Sequence, residues 1–112
     1  MSVLDRAKTH FEAKGLKRIE VPEWKDEQGK PTVLLSEPFT LDDQRKLLKF
    51  SDGDSVEFIA RLVIMKAKNE DGSMAFDLSD KPVLMGKVDP AVVRRIADEI
   101  SATPSIEDMS GN

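Results

Sequence analysis

Residues 56–67 are the most hydrophobic stretch of this chain, and their arrangement restricts its folds more than any other feature. At about 100° per residue on a helix, Glu57, Arg61 and Lys68 share one narrow polar arc. Val56, Phe58, Ile59, Ala60, Leu62, Val63, Met65 and Ala67 fill the rest, and Ile64 falls on the polar side. A helix with one neighbour needs an apolar stripe of roughly 100°. This one spans more than half the circumference, so it must be covered on two sides, by its own domain or partly by another chain. Val56, Phe58, Ala60, Leu62 and Ile64 also alternate as in a strand, but the length and the Ala, Met, Leu and Arg content favour a helix. Asp54 with Glu57 three residues on reads as a capping box at its start.

The chain has 112 residues, the size of one domain, and can bury roughly 65% of its unfolded surface without disulfides or a metal. It has no cysteine and one histidine. Thiol nucleophiles, iron–sulfur ligation and tetrahedral zinc are therefore excluded. Seventeen Lys and Arg against 21 Asp and Glu give a net charge of -4, which lacks the basic excess that neutralises phosphates. Nucleic acid is not an expected partner. No apolar run approaches the roughly 18 residues of a membrane span. Asp5, Arg6, Lys8 and His10 interrupt any signal-peptide core, so a cytosolic protein is expected.

The remaining segments read as follows. Val3, Ala7, His10 and Phe11 recur at helical spacing behind Ser2 as N-cap, and Gly15 ends that helix over residues 2–14. Ile19 and Val21, then Val33, Leu34 and Leu35, form a β-hairpin whose strands are kept short by Pro22, Pro31 and Pro38. A lone hairpin is marginal in water, so it must lie on helices. Thr40 and Asp43 open a helix with the apolar face Leu41, Leu47, Leu48 and Phe50. Residues 69–73 form a turn, and Ser79 and Asp80 cap a short helical piece with Val83, Leu84 and Met85. Asp89 followed by Pro90 starts a last helix, with Val93, Ile96, Ala97 and Ile100 on one face. Arg94 with Asp98, and Arg95 with Glu99, pair on its solvent side. The expected fold is α+β, mostly helical with four to five helices, and one short antiparallel β-hairpin packed on them. Residues 1–102 form a single globular domain, and the polar residues 103–112 form a disordered tail.

No catalytic constellation, cofactor motif or metal motif emerges. His10 has no nucleophile to serve and reads as a surface or core-edge residue. The acidic runs 51–55 and 69–73 lack the alternating ligands of a calcium loop and read as turns and caps. Asp42 and Asp43 complement a helix dipole. The glycines are scattered and cradle no phosphate. Trp24 differs in kind, because an aromatic ring at a strand end before a polar turn either packs the hairpin onto the helices or anchors a partner.

The order of segments resembles a known family. A strand ending Val21, Pro22, Glu23, Trp24 precedes a turn with Gly29 and a second strand Val33, Leu34, Leu35. A helix, a hydrophobic segment, Asp71, Gly72, Phe76 and a closing helix follow. Over residues 16–101 this resembles the small tail assembly chaperones of long-tailed bacteriophages of the siphophage type. The N-terminal helix and the long polar turn after Trp24 depart from the pattern. The resemblance implies an α+β domain that catalyses nothing and uses no cofactor. Such a domain binds and solubilises the tape measure protein, helps recruit tail tube protein during tail morphogenesis, acts in the host cytoplasm and is absent from the mature virion. It also implies that a longer frameshifted product can exist.

A holdase needs apolar area to offer and a net charge that keeps it dispersed, and methionines such as Met65, Met74 and Met85 suit irregular partners. Trp24, Phe58, Leu62 and Met65 are the expected partner-binding or self-association residues. Self-association suits a small domain that must cover a long client. The alternative is a structural virion protein, such as a tail completion or head-tail joining subunit. A regulatory adaptor and an enzyme rank below both.

Overall fold

The computed structural model describes residues 2–101. They form α1 (Val3–Lys14), β1 (Lys17–Lys25), β2 (Pro31–Ser36), α2 (Leu41–Ser51), α3 (Ser55–Lys66), α4 (Lys81–Gly86) and α5 (Pro90–Ser101). A short 3-10 turn, Leu78–Asp80, leads into α4. The fold is thus α+β and mostly helical, with one two-stranded antiparallel sheet. The expected tail, residues 103–112, lies outside the described residues.

The hydrophobic segment is a helix, and it is central: α3 packs against α2, α4 and α5. Ala60, Leu62, Val63 and Ile64 are buried. Ile64 departs from its expected place on the polar arc. It is buried, and on the opposite side of the helix Lys66 is buried too, its Nζ reaching Asp43 Oδ2 at 3.0 Å and the Pro38 carbonyl at 3.3 Å, so the C-terminal end of α3 is enclosed on both sides. The expected capping box at the start of α3 is half formed. Asp54 accepts from the N–H groups of Val56 and Glu57 at 2.9 and 3.1 Å. Glu57 does not complete the box, because its Oε2 lies 2.5 Å from both Arg61 Nε and Lys81 Nζ. Two cations hold a carboxylate more strongly than one backbone N–H.

The hairpin pairs Lys17 with Ser36 through Val21 with Thr32, which turns Ile19, Val21 and Leu34 into the core. β1 is longer than the expected short strand and continues past Pro22 to Lys25. Pro22 cannot donate to the ladder, and the register breaks between Val21 and Lys25. That break displaces Trp24 from regular pairing. Beyond it, Asp26 Oδ1 closes the turn by accepting from the N–H groups of Gln28 and Lys30 at 2.8 and 3.0 Å. On the other side of β2, Leu35 and Lys68 exchange backbone hydrogen bonds at 2.8 Å, so the segment after α3 stitches the hairpin to the helices.

α5 buries Val92, Val93, Ile96, Ala97 and Ile100, and its start is capped as expected, with Asp89 Oδ1 accepting from the Ala91 N–H at 2.9 Å. The expected pairing of Arg95 with Glu99 gives way to a two-pronged clasp. Arg95 donates to both oxygens of Glu23 at 2.6 and 2.7 Å and ties α5 to the bulged end of β1. The flat guanidinium matches a carboxylate in a way that a single-contact helix pair cannot. Asp77 caps the 3-10 turn in a reciprocal box with Asp80, and Asp80 is the N-cap residue of α4 as expected, though its side chain makes no capping hydrogen bond to that helix; Ser79 is not its cap.

Two helices leave most of their apolar residues outside. α1 has the expected reciprocal box of Ser2 and Asp5 and ends at Gly15 with φ 63°, yet it buries no residue. α2 has its expected box of Thr40 and Asp43, but of its apolar face only Leu47 is buried. Leu41, Leu48 and Phe50 are exposed.

Candidate protein-binding surface

Three open grooves adjoin along the outside of α3 and α4. The first lies between the end of α2 and the start of α3, has a volume of about 330 Å³, and is lined by Leu48, Ser51, Gly53, Asp54, Ser55, Phe58 and Ile59. The second shares Ile59 and is lined also by Val56, Ala60, Leu84, Met85, Pro90, Val93 and Arg94. The third shares Leu84 and is lined by Trp24, Ala75, Phe76, Val83 and Val88, with Asp80 at its edge, in about 410 Å³. Ile59 is common to the first and second grooves and Leu84, itself buried, to the second and third; the middle one is only a shallow dent of about 50 Å³, and the series from Leu48 to Trp24 is termed the apolar track. Leu48, Val56, Val83 and Met85 stand along it with roughly half of each side chain open to solvent.

The four residues expected to bind a partner have different fates. Phe58 is half-buried and lines the first groove, and Trp24 is half-buried and lines the third. They occupy opposite ends of the track. Trp24 stands edge-on to Phe76, with ring centroids 6.4 Å apart and planes at 79°, so part of its face is spent packing the hairpin. Leu62 is 2% exposed and belongs to the core, which corrects its assignment to a partner surface. It follows Phe58 by four residues but lies where α3 is enclosed by the rest of the core. Met65 is half-buried against the core and does not line the track.

Leu48 lines the track without having been singled out for a partner, while Val56 and Ile59, within the apolar segment, and the adaptable Met85 were expected only as part of the apolar area on offer. For Leu48 one signal in the sequence exists: α2 has four apolar residues on a helix of eleven, and only Leu47 of them is buried.

Charges fix the elements that frame the track. Hydrogen bonds from Lys81 and Arg61 hold the Glu57 carboxyl below its ordinary range and join α3 to the start of α4. Arg61 also lies over the Phe50 ring at 5.7 Å, which anchors α2 to α3. The Arg95 clasp holds Glu23 down to about 2. Lys68 donates to Glu37 at 2.9 Å and lowers its carboxyl. Asp43 is opposed by burial, yet the hydrogen bonds from Lys66 and Thr40 outweigh it, and its net shift is downward. In the first groove, the buried Ser51 hydroxyl makes no hydrogen bond among the described residues. Leaving such a group unpaired costs about 1–3 kcal/mol.

Among the described residues there is no cluster of His, Asp or Glu able to hold a metal ion, and no helix is long and apolar enough to cross a membrane. His10 is exposed on α1. What the surface offers is shape and apolar area on a helical frame. Comparison with protein families, curated proteins and solved structures finds no match for the chain.

Proposed function

We propose that this protein is a tail assembly chaperone of a long-tailed phage, binding and solubilising the tape measure protein and helping to recruit tail tube subunits in the host cytoplasm. The observation that supports this reading is the apolar track from Leu48 to Trp24, left open on a domain of net charge -4. A long helical client exposes a repeating apolar stripe. A track across α3 and α4 takes such a stripe by helix-in-groove docking, while the negative charge keeps the loaded complex dispersed. The function is binding, without catalysis or cofactor.

Co-expression with the tape measure protein tests it. The wild-type chain is expected to hold the client in the soluble fraction and to co-purify with it, and to be absent from purified particles. Leu48→Lys and Met85→Lys, both on exposed positions, are expected to remain folded and to lose the client. A client that stays insoluble with the wild-type chain refutes the reading. Detection of the chain in purified particles by mass spectrometry favours a tail completion or head-tail joining subunit instead.

A further inference from the structure

α1 is a helix with a face and nothing to cover it. Val3, Leu4 and Ala7 lie on one stripe, and Val3 and Leu4 are 75% and 70% exposed. Phe11 continues the stripe to the C-terminal end, where it meets Pro38 and Phe39 of its own body. On a helical wheel Lys8 borders the stripe on one side and His10 on the other, while Lys14 falls within the stripe at its C-terminal end. The two carboxylates of the helix, Asp5 and Glu12, fall on the opposite face. The exposed surface of α1 is therefore an apolar strip with a basic border.

The groove between α2 and α3 has the complementary character. Leu48, Phe58 and Ile59 give it an apolar lining, Asp52 and Asp54 stand at the turn that closes it, and its 330 Å³ accommodates a few aliphatic side chains. The two surfaces do not meet within one chain. Gly15 and Leu16 are the only residues between α1 and β1, and the C-terminal end of α1 sits beside Thr40 and Asp43 at the start of α2. The groove lies at the other end of α2, about 15 Å away for a helix of this length.

We propose that α1 of one copy docks in the α2–α3 groove of a second copy, with Val3 and Leu4 against Leu48 and Ile59, and with the basic border beside Asp52 and Asp54. The contact is head-to-tail, so each copy retains one free arm and one free groove, and copies add in series or close into a ring. This inference concerns self-association. Its groove is also one of the three that the chaperone reading gives to the client, so the two occupants compete there; oligomeric state is measured on the chain without client, and that result stands or falls apart from client binding.

The test uses the full chain in three forms, followed by analytical ultracentrifugation over a range of concentration. Val3→Asp/Leu4→Asp removes the arm, and acidic residues in a first helical turn leave the helix itself favoured. Leu48→Lys blocks the groove at an exposed position. Circular dichroism confirms that both variants fold. Wild type is expected to form oligomers that grow with concentration and loosen with salt. Each variant alone is expected to weaken self-association more than about tenfold in Kd. Mixing the two variants is expected to restore a complex that stops at a 1:1 dimer, because only one intact arm and one intact groove remain as a pair. A wild-type chain still monomeric at about 1 mM overturns the proposal. So does a Leu48→Lys variant that associates as wild type does, which means arms pair with arms. Binding of wild-type monomer, but not of Val3→Asp/Leu4→Asp, to anionic vesicles overturns it in favour of a membrane surface.

Discussion

Replacing Asp43 with asparagine isolates the charge that holds the corner where β2, α2 and α3 meet. The Lys66 side chain is 10% exposed and its ammonium lies 3.0 Å from Asp43 Oδ2, while its second acceptor, the Pro38 carbonyl, is at 3.3 Å. Removing one member of a fully buried pair costs about 3–5 kcal/mol, mostly because the other charge stays buried without compensation. Both side chains here keep some contact with water, and the amide oxygen of the replacement can still accept from the Thr40 N–H, so about 2–3 kcal/mol is expected for Asp43→Asn. Lys66→Met keeps the buried stem and removes the ammonium. Combined with Asp43→Asn it is expected to return stability to within about 1 kcal/mol of wild type, since an apolar replacement of a buried pair is commonly near neutral. Urea unfolding of the four proteins gives the coupling energy directly. The sign with pH is fixed as well. The folded Asp43 carboxyl is lowered, so its contribution is complete above the unfolded value near 4 and fades as pH falls through the folded value. Asp43→Asn is expected to flatten that acid limb. A loss below about 0.5 kcal/mol, with no coupling to Lys66→Met, refutes the reasoning and means that water already serves both charges.

Leu62→Ala is expected to cost about 2–5 kcal/mol by opening a cavity, and to lower Tm by about 4–8 °C per kcal/mol, while Leu48→Ala costs under about 1 kcal/mol; equal thermal shifts contradict the division between core and track. Glu23, held to about 2 by Arg95, contributes stability above its unfolded value near 4.3, and loses it as pH falls towards 2. Glu23→Gln is therefore expected to flatten the urea midpoint between about pH 2 and 4, and an unchanged slope there means that the clasp is loose in solution. Gly15→Ala meets no atom within 4 Å of the new Cβ, but φ 63° and ψ -158° are strained for a residue with a side chain, at about 1–3 kcal/mol. Because α1 has little packing to lose, the expected result is fraying of α1 alone, seen as reduced helical ellipticity with an unchanged core transition.

Local signals in the sequence led to the right elements because each depends on residues close in the chain. Ser2 with Asp5, Thr40 with Asp43, and Asp89 before Pro90 cap their helices as read. Reasoning failed where a partner distant in sequence decides the outcome. Glu57 left its capping role for Lys81, 24 residues on, and Arg95 left Glu99 for Glu23, 72 residues back. Neither competitor is visible to a helical wheel. Ile64 falls on a wet face by periodicity alone, yet it is buried with the core, because tertiary packing around a helix leaves no periodic trace in its sequence. The candidate surface was legible only in outline. The excess apolar content of α3 pointed to a second covered side, but which of Phe58 and Leu62 faces outward depends on where α5 lies, and that is set by the fold.

The division of apolar residues explains how one small domain remains stable while keeping its grooves open. α3 and α5, with Ile19, Val21 and Leu34 of the hairpin, supply most of the buried core. α1 and α2 contribute only Leu47 to it, and their remaining large apolar side chains stand outside. Exposed apolar groups on a marginal element would invite local unfolding, but Leu48 lies on a helix fixed at its start by the Asp43–Lys66 pair and near its end by the stacking of Arg61 on Phe50. Val56 and Ile59 lie on the most enclosed helix of the fold. A partner that docks there finds side chains already held in place and loses less conformational entropy than it would against a loop. α1 is built the opposite way, capped at both ends and barely attached, which leaves its apolar strip free to seek a groove outside its own chain.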